Sequence, residues 1–198
     1  MLRMHSLGDN YRVLVIGGSG ALGQAFCAAL RSDSACAQVT ELGRNTTPRL
    51  DLEDPVSIAE SADTLAQQGP FQLILLATGI LHGPAVQPEK SLAAIEAEAL
   101  RRVFQINTLG PALVLRHFLP LLSADGAMAV LSAKVGSIGD NRLGGWYAYR
   151  SSKAALNMLI KTAAIELRRQ WPKARLLSLH PGTVVSPLSQ PFRGAANA

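Results

Sequence analysis

Residues 11–32 constrain this chain more than any other stretch. YRVLVI at 11–16 is a short β-branched apolar run that breaks at GGSGALG (17–23), and AFCAALRS follows with helical periodicity. A strand, a glycine turn and a helix in that order open a parallel α/β sheet. The alternation continues, predicting strands near 38–43 (QVTELG), 48–51, 71–77 (FQLILLA), 126–132 (GAMAVLS) and 174–180 (ARLLSLH), and helices near 54–68, 96–120 and 148–170. Several of these strands are nearly continuous apolar runs, as a sheet covered by helices on both faces requires. Asp54 followed by Pro55 supplies an N-cap and a first helical residue for the helix at 54. So few residues separate the second and third expected strands that this crossover has no room for a helix.

With 198 residues, 48% of them hydrophobic and 17% charged, the chain suits one domain over 1–198 with one full core. Its longest apolar runs, such as LILLA at 73–77, fall far short of the ~20 residues that cross a bilayer. The N-terminal MLRMHSLGDN lacks the apolar centre of a signal peptide, and two cysteines, Cys27 and Cys36, make no disulfide framework. A cytoplasmic protein without membrane or metal site is expected. The formal charge of +5 comes from scattered Lys and Arg, with no basic-aromatic cluster for nucleic acid; affinity for a phosphorylated ligand accounts for it as well.

The glycines of the turn fit two registers, Gly18, Gly20, Gly23 and Gly17, Gly20, Gly23, both ending at Gly23. Either way the need is the same. A turn without Cβ lets the amides around Ser19, Ala21 and Leu22 face a pyrophosphate, and a small residue sits where helix packs on strand. A dinucleotide site often has an acidic residue at the end of the second strand for the adenosine ribose. Here the strand ends Leu42-Gly43-Arg44: Gly43 offers no carboxylate, whereas Arg44 offers a forked cation to a 2′-phosphate. NADP is expected over NAD.

In WYAYRSSKAAL at 146–156, Tyr149 and Lys153 are four residues apart, on one face of a helix. A lysine cation within ~4–6 Å favours a phenolate, moving it towards proton exchange near neutral pH. The spacing alone also describes an ordinary surface helix.

The glycine turn, Asp51-Leu52, Asn107, Tyr149 to Lys153 and Pro181-Gly182 occur in one order, and together they resemble the short-chain dehydrogenase/reductase family; GSIGDNRLGGWYAYRSSKAALNM at 136–158 further resembles its C-factor-like branch. The resemblance implies a doubly wound Rossmann fold, NAD(P) binding and hydride transfer between nicotinamide and a small carbonyl or alcohol. It gives Tyr149 the acid/base role and Lys153 the roles of lowering its pKa and holding the nicotinamide ribose. Asp51, with Leu52, would meet the adenine edge. Gly79 stands in LATG, where the family's Asn-Asn-Ala-Gly has lost both asparagines. Pro181, Gly182, Thr183 and Val184 would present backbone to the carboxamide, and Ser186 would lie near the phosphates.

Asn107 also has a local reading, because Pro111 lacks the amide that its carbonyl would bond in a helix, so a kink is expected there. The family's substrate-polarising serine falls on Ala133, leaving Ser132 and Ser137 as candidates, with Ser137 preferred. The altered serine and the sixteen residues after Gly182 also fit a second reading, a nucleotide-binding protein with little turnover that acts through a partner or a dimer. Family members continue with a lid, a further helix and a final strand, so an open substrate side, an unstructured PLSQPFRGAANA tail and an exposed edge at 174–180 are expected. Leu113, Leu119, Leu156, Leu159 and Ile160 put apolar residues on several faces of the helices at 96–120 and 148–170, through which the resemblance suggests a homodimer.

Overall fold

Strands that are apolar on both sides have to be covered on both sides. In the computed structural model, which describes residues 4–182 and 184–192, they form one parallel sheet of five strands in the order β2-β1-β3-β4-β5. These are β1 (Tyr11–Ile16), β2 (Cys36–Leu42), β3 (Phe71–Leu76), β4 (Leu122–Leu131) and β5 (Arg175–Leu179). The helices are α1 (Ala21–Arg31), α2 (Pro55–Leu65), α3 (Ala97–Phe104), α4 (Gly110–Phe118) and α5 (Tyr147–Gln170). Alternation along each strand divides the core in two. Leu14, Ile16, Ile74, Leu76, Met128 and Val130 pack with Ile58, Val114, Leu156 and Ile160 from α2, α4 and α5; Val13, Val15, Leu73 and Leu75 pack with Cys27 and Leu30 from α1. This is the doubly wound α/β arrangement expected.

The expected strand at 48–51 does not form. Only a bridge joins Gly43 to Arg49. Pro48 has no amide to offer a ladder, and the Thr46 hydroxyl closes the segment into a turn on Gly43 O and Pro48 O. The connection from β2 to β3 therefore carries a helix after all, α2, whose first amides, of Val56 and Ser57, donate to the Asp54 carboxylate. From β1 the chain runs outward to β2 and then crosses to β3. This places the point where strand order reverses between the carboxyl ends of β1 and β3, where open α/β sheets bind ligands. At the other side, among the described residues, β5 pairs with β4 alone, and its Leu177 is 44% exposed.

Candidate active site

The glycine turn joins β1 to α1 at that reversal. Gly17 has φ +87° and lies so close to Ala77 and Thr78, beyond β3, that a Cβ would come within 2.8 Å of Thr78 Cγ2; a Cβ on Gly23 would overlap the Gly17 carbonyl oxygen. The N-cap of α1 is Gly20, and no side chain caps its first turn, where Ala21 and Leu22 sit. That contrasts with α2, whose first turn is held by Asp54. An uncapped helix start behind a cradle without Cβ atoms is chemically fitted to a pyrophosphate. Thr78 Oγ1, beside it, is the one buried side-chain oxygen among the described residues without a hydrogen-bond partner. These features fit a dinucleotide, and Ser19 and Gly18 complete the same turn.

Beyond the ends of β3 and β4, α5 brings up Tyr149 and Lys153. Lys153 is 3% exposed; its Nζ donates to Leu131 O at 3.0 Å and lies 6.0 Å from the centre of the Tyr149 ring. Gly79, at φ +152°, leaves the gap beside it, since a Cβ there would be 3.2 Å from that Nζ. Burial lowers Lys153 from 10.5 to about 8, and burial also pushes the Tyr149 phenol above its ordinary value. The expected lowering of Tyr149 by Lys153 is thus not what this geometry gives. The ammonium is turned towards Leu131 O, and loss of water around the phenol outweighs it.

Asn107 lies in a π-helical turn, Gln105–Leu109, between α3 and α4, where Gly110 N bonds back to Gln105 O. The amide missing at Pro111 is the local cause foreseen for a kink. The Asn107 side chain, fully buried, accepts from Ile80 N at 2.8 Å and donates to Ile80 O and Ser152 Oγ. It ties the loop after β3 to α5 directly ahead of Lys153.

The candidate serines are placed elsewhere. Ser132 Oγ donates to Asn157 Oδ1 at 2.7 Å, which also takes Ser178 Oγ, so it fastens β4 and β5 to α5. Ser137 lines a groove with Tyr147, Arg150 and Ser151, on the side of α5 turned away from Tyr149. Arg44 is exposed and unpaired at the mouth of the turn after β2. The Asp51 carboxylate holds Arg49 at 2.6 Å and the Glu53 amide, while Leu52 is core, its carbonyl taken by Gln105 Nε2.

Pro181 and Gly182 are exposed, and Thr183 lies outside the described residues. Ser186 starts a turn in which its amide donates to Ser189 Oγ, and Ser189 Oγ reaches Val184 O. The expected unstructured tail is overturned for residues 187–192: a turn and a short 3-10 helix, Gln190–Phe192, pack Phe192 against Trp146 and His82, on the side expected to lie open. Residues 193–198 lie outside the description.

Sequence reasoning passed over three residues. Thr78 follows the apolar run of β3. Glu41 sets its carboxylate against Gly18, paired with Arg31 at 2.5 Å; period-two alternation puts it on the same side of β2 as Gly43, which was the available signal. Trp146 follows two glycines at the head of α5.

A family model described as enoyl-(acyl carrier protein) reductase matches residues 23–198. The chain belongs to the short-chain dehydrogenase/reductase family. Among relatives of this family, 1-hydroxy-2-glutathionyl-2-methyl-3-butene dehydrogenase of Rhodococcus sp. (strain AD45) is 29% identical over 92% of this chain and 81% of its own length. C-signal of Myxococcus xanthus is 38% identical over 51% of this chain and 61% of its own. A short-chain dehydrogenase/reductase of Burkholderia multivorans, solved with bound NADP, superposes with a TM-score of 0.80 at 25% identity, covering 93% of this chain and 84% of that one. Membership in this family of oxidoreductases accounts for the order of the sheet and for the glycine turn. No helix among the described residues is long and apolar enough to cross a membrane.

Proposed function

We propose that this short-chain dehydrogenase/reductase prefers NADP and moves a hydride between nicotinamide and a small carbonyl or alcohol, with Tyr149 as acid/base. The observation that carries this is the placement of Tyr149 and Lys153 on one face of α5, with Lys153 Nζ set against Gly79, where a Cβ would come within 3.2 Å of it. When bound, the nicotinamide supplies or accepts the hydride. The first turn of α1 and the glycines before it would hold the pyrophosphate, and Arg44 the 2′-phosphate. The Burkholderia relative's bound NADP supports the cofactor assignment.

Tyr149 holds its proton at neutral pH, with burial pushing the phenol further above its ordinary value, so it can donate to a carbonyl oxygen in the reductive direction. Lys153 stands beside it as a cation below pH 8, able to favour the phenolate that remains. Asn107 fixes the loop carrying Gly79 and Ile80, which keeps the gap open. Following nicotinamide absorbance with NADPH and a panel of aldehydes, ketones and quinones tests the reading. Tyr149→Phe should cut turnover by about 10²–10⁴-fold while leaving NADPH affinity in place. Retention of most activity would assign the proton to another group.

A second reading has its own observation. Ala133 has no hydroxyl and Ser132 is held by Asn157, which suits a nucleotide-binding protein with little turnover. Tight NADPH binding without oxidation by any of the panel would favour it.

A further inference from the structure

We propose that Trp146, backed by Phe192 and His82, is the residue by which this chain selects its substrate, forming an aromatic wall beside Tyr149 that favours carbonyl compounds carrying an aryl group. The part of this that concerns turnover rests on the hydride-transfer reading above; the part that concerns binding does not.

Trp146 is held where a tryptophan is unfavourable. Its backbone is left-handed, φ 52° and ψ 46°, after Gly144 and Gly145 at φ 64° and 65°. Glycine enters this region without penalty, whereas any Cβ meets the neighbouring carbonyl, and such residues persist where their surroundings over-determine them. The surroundings here do so. Trp146 N donates to Glu89 O at 2.6 Å, and Ala148 N donates to the carboxylate of the same buried Glu89. From the other side, Arg150 Nε donates to the carbonyls of Gly144 and Gly145, and its Nη1 to Val135 O.

The choice does not serve the helix. Position 146 is the N-cap of α5, where serine or aspartate would satisfy an amide, and the indole makes no capping bond. What it does is face aromatic rings. Its centroid lies 6.3 Å from Tyr149 at 77° and 5.2 Å from Phe192 at 65°, and Phe192 in turn lies 5.5 Å from His82 at 66°. The His82 ring nitrogen is 3.1 Å from Pro187 O, which pins the segment carrying Phe192. These edge-to-face spacings are those at which aromatic rings attract one another, so the same wall attracts a flat ring placed beside the phenol. With Ala133 lacking a hydroxyl and Ser132 engaged by Asn157, ring contact takes the place of a serine in orienting the substrate.

The test compares the full chain with Trp146→Ala and Trp146→Phe against acetophenone and cyclohexyl methyl ketone, similar in size and differing in ring aromaticity. Each ketone is titrated calorimetrically for Kd without cofactor, and kcat/KM is measured with NADPH. The wild type should prefer acetophenone by about tenfold, Trp146→Ala should bring that preference below about twofold, and Trp146→Phe should keep most of it. NADPH affinity within about twofold of wild type certifies that Trp146→Ala has kept its fold. A wild-type ratio near one, an undiminished ratio in Trp146→Ala, or binding of neither ketone overturns the proposal. A Trp146-dependent binding preference without turnover supports the wall and overturns only the hydride-transfer reading.

Discussion

Lys153 destabilises the fold that holds it. Its folded pKa, about 8, is below the ordinary 10.5, so between these values the unfolded chain binds the extra proton and stability rises with pH. Below pH 8 the penalty is fully present, about 3 kcal/mol. Tyr149 has the opposite sense: its phenol is raised, so above pH 10 the unfolded chain ionises first and stability falls. Lys153→Met should therefore unfold at higher urea at pH 7, by about 1–3 kcal/mol, with the gain shrinking towards pH ~9.5. A loss of stability at pH 7 would show that the bond to Leu131 O outweighs desolvation. Arg44 carries no such load, being exposed and unpaired. Arg44→Ala should weaken NADPH by about 1.5–3 kcal/mol and NADH far less in fluorescence titrations; equal losses would remove Arg44 from the 2′-phosphate.

At the scale of the element, α3 and α4 are separated by a π turn with a local cause. Pro111 removes one amide, the helix widens into a π turn, and Asn107 is directed inward to satisfy both backbone groups of Ile80. The kink was legible because its cause is one missing donor four residues on. The partner of the side chain was not, since Ile80 is 27 residues away. Asn107→Ala would leave both half-buried backbone groups of Ile80 unpaired, so denaturant unfolding should register a loss of roughly 2–4 kcal/mol. A loss under about 1 kcal/mol would mean that water replaces the amide. Here hydrogen bonds add to the apolar packing of Ile80 against Val86, Val103 and Ala148, and together they hold Gly79 against Lys153.

For the molecule as a whole, the apolar residues named for pairing mostly turned inward. Leu156 and Ile160 are core, at 1% and 3% exposed, and Leu113 and Leu119 pack against it. The exposed apolar residues of this region, Met158 and Ile165, two turns apart on α5, and Leu109 before α4, are not among those named. We propose that two copies pair through this face instead. Light scattering should give twice the chain mass at micromolar concentration, and Met158→Asp with Ile165→Asp should halve it. A monomeric wild type would count directly against it.

The sequence by itself determined the alternating α/β order, the glycine turn, the capped start of α2, the bend at Pro111 and the pairing of Tyr149 with Lys153, because each depends on residues within a few positions of one another. It misjudged 48–51, where a turn closed by Thr46 replaced the pairing its residues suggested. Only the tertiary structure decided where side chains point at long range: Ser132 to Asn157, Glu41 to Gly18, and Phe192 back across the chain to Trp146. It also decided the charges of the centre. Whether a lysine lowers its neighbour's pKa depends on how much water both lose and which carbonyl the ammonium meets, and neither is a property of spacing.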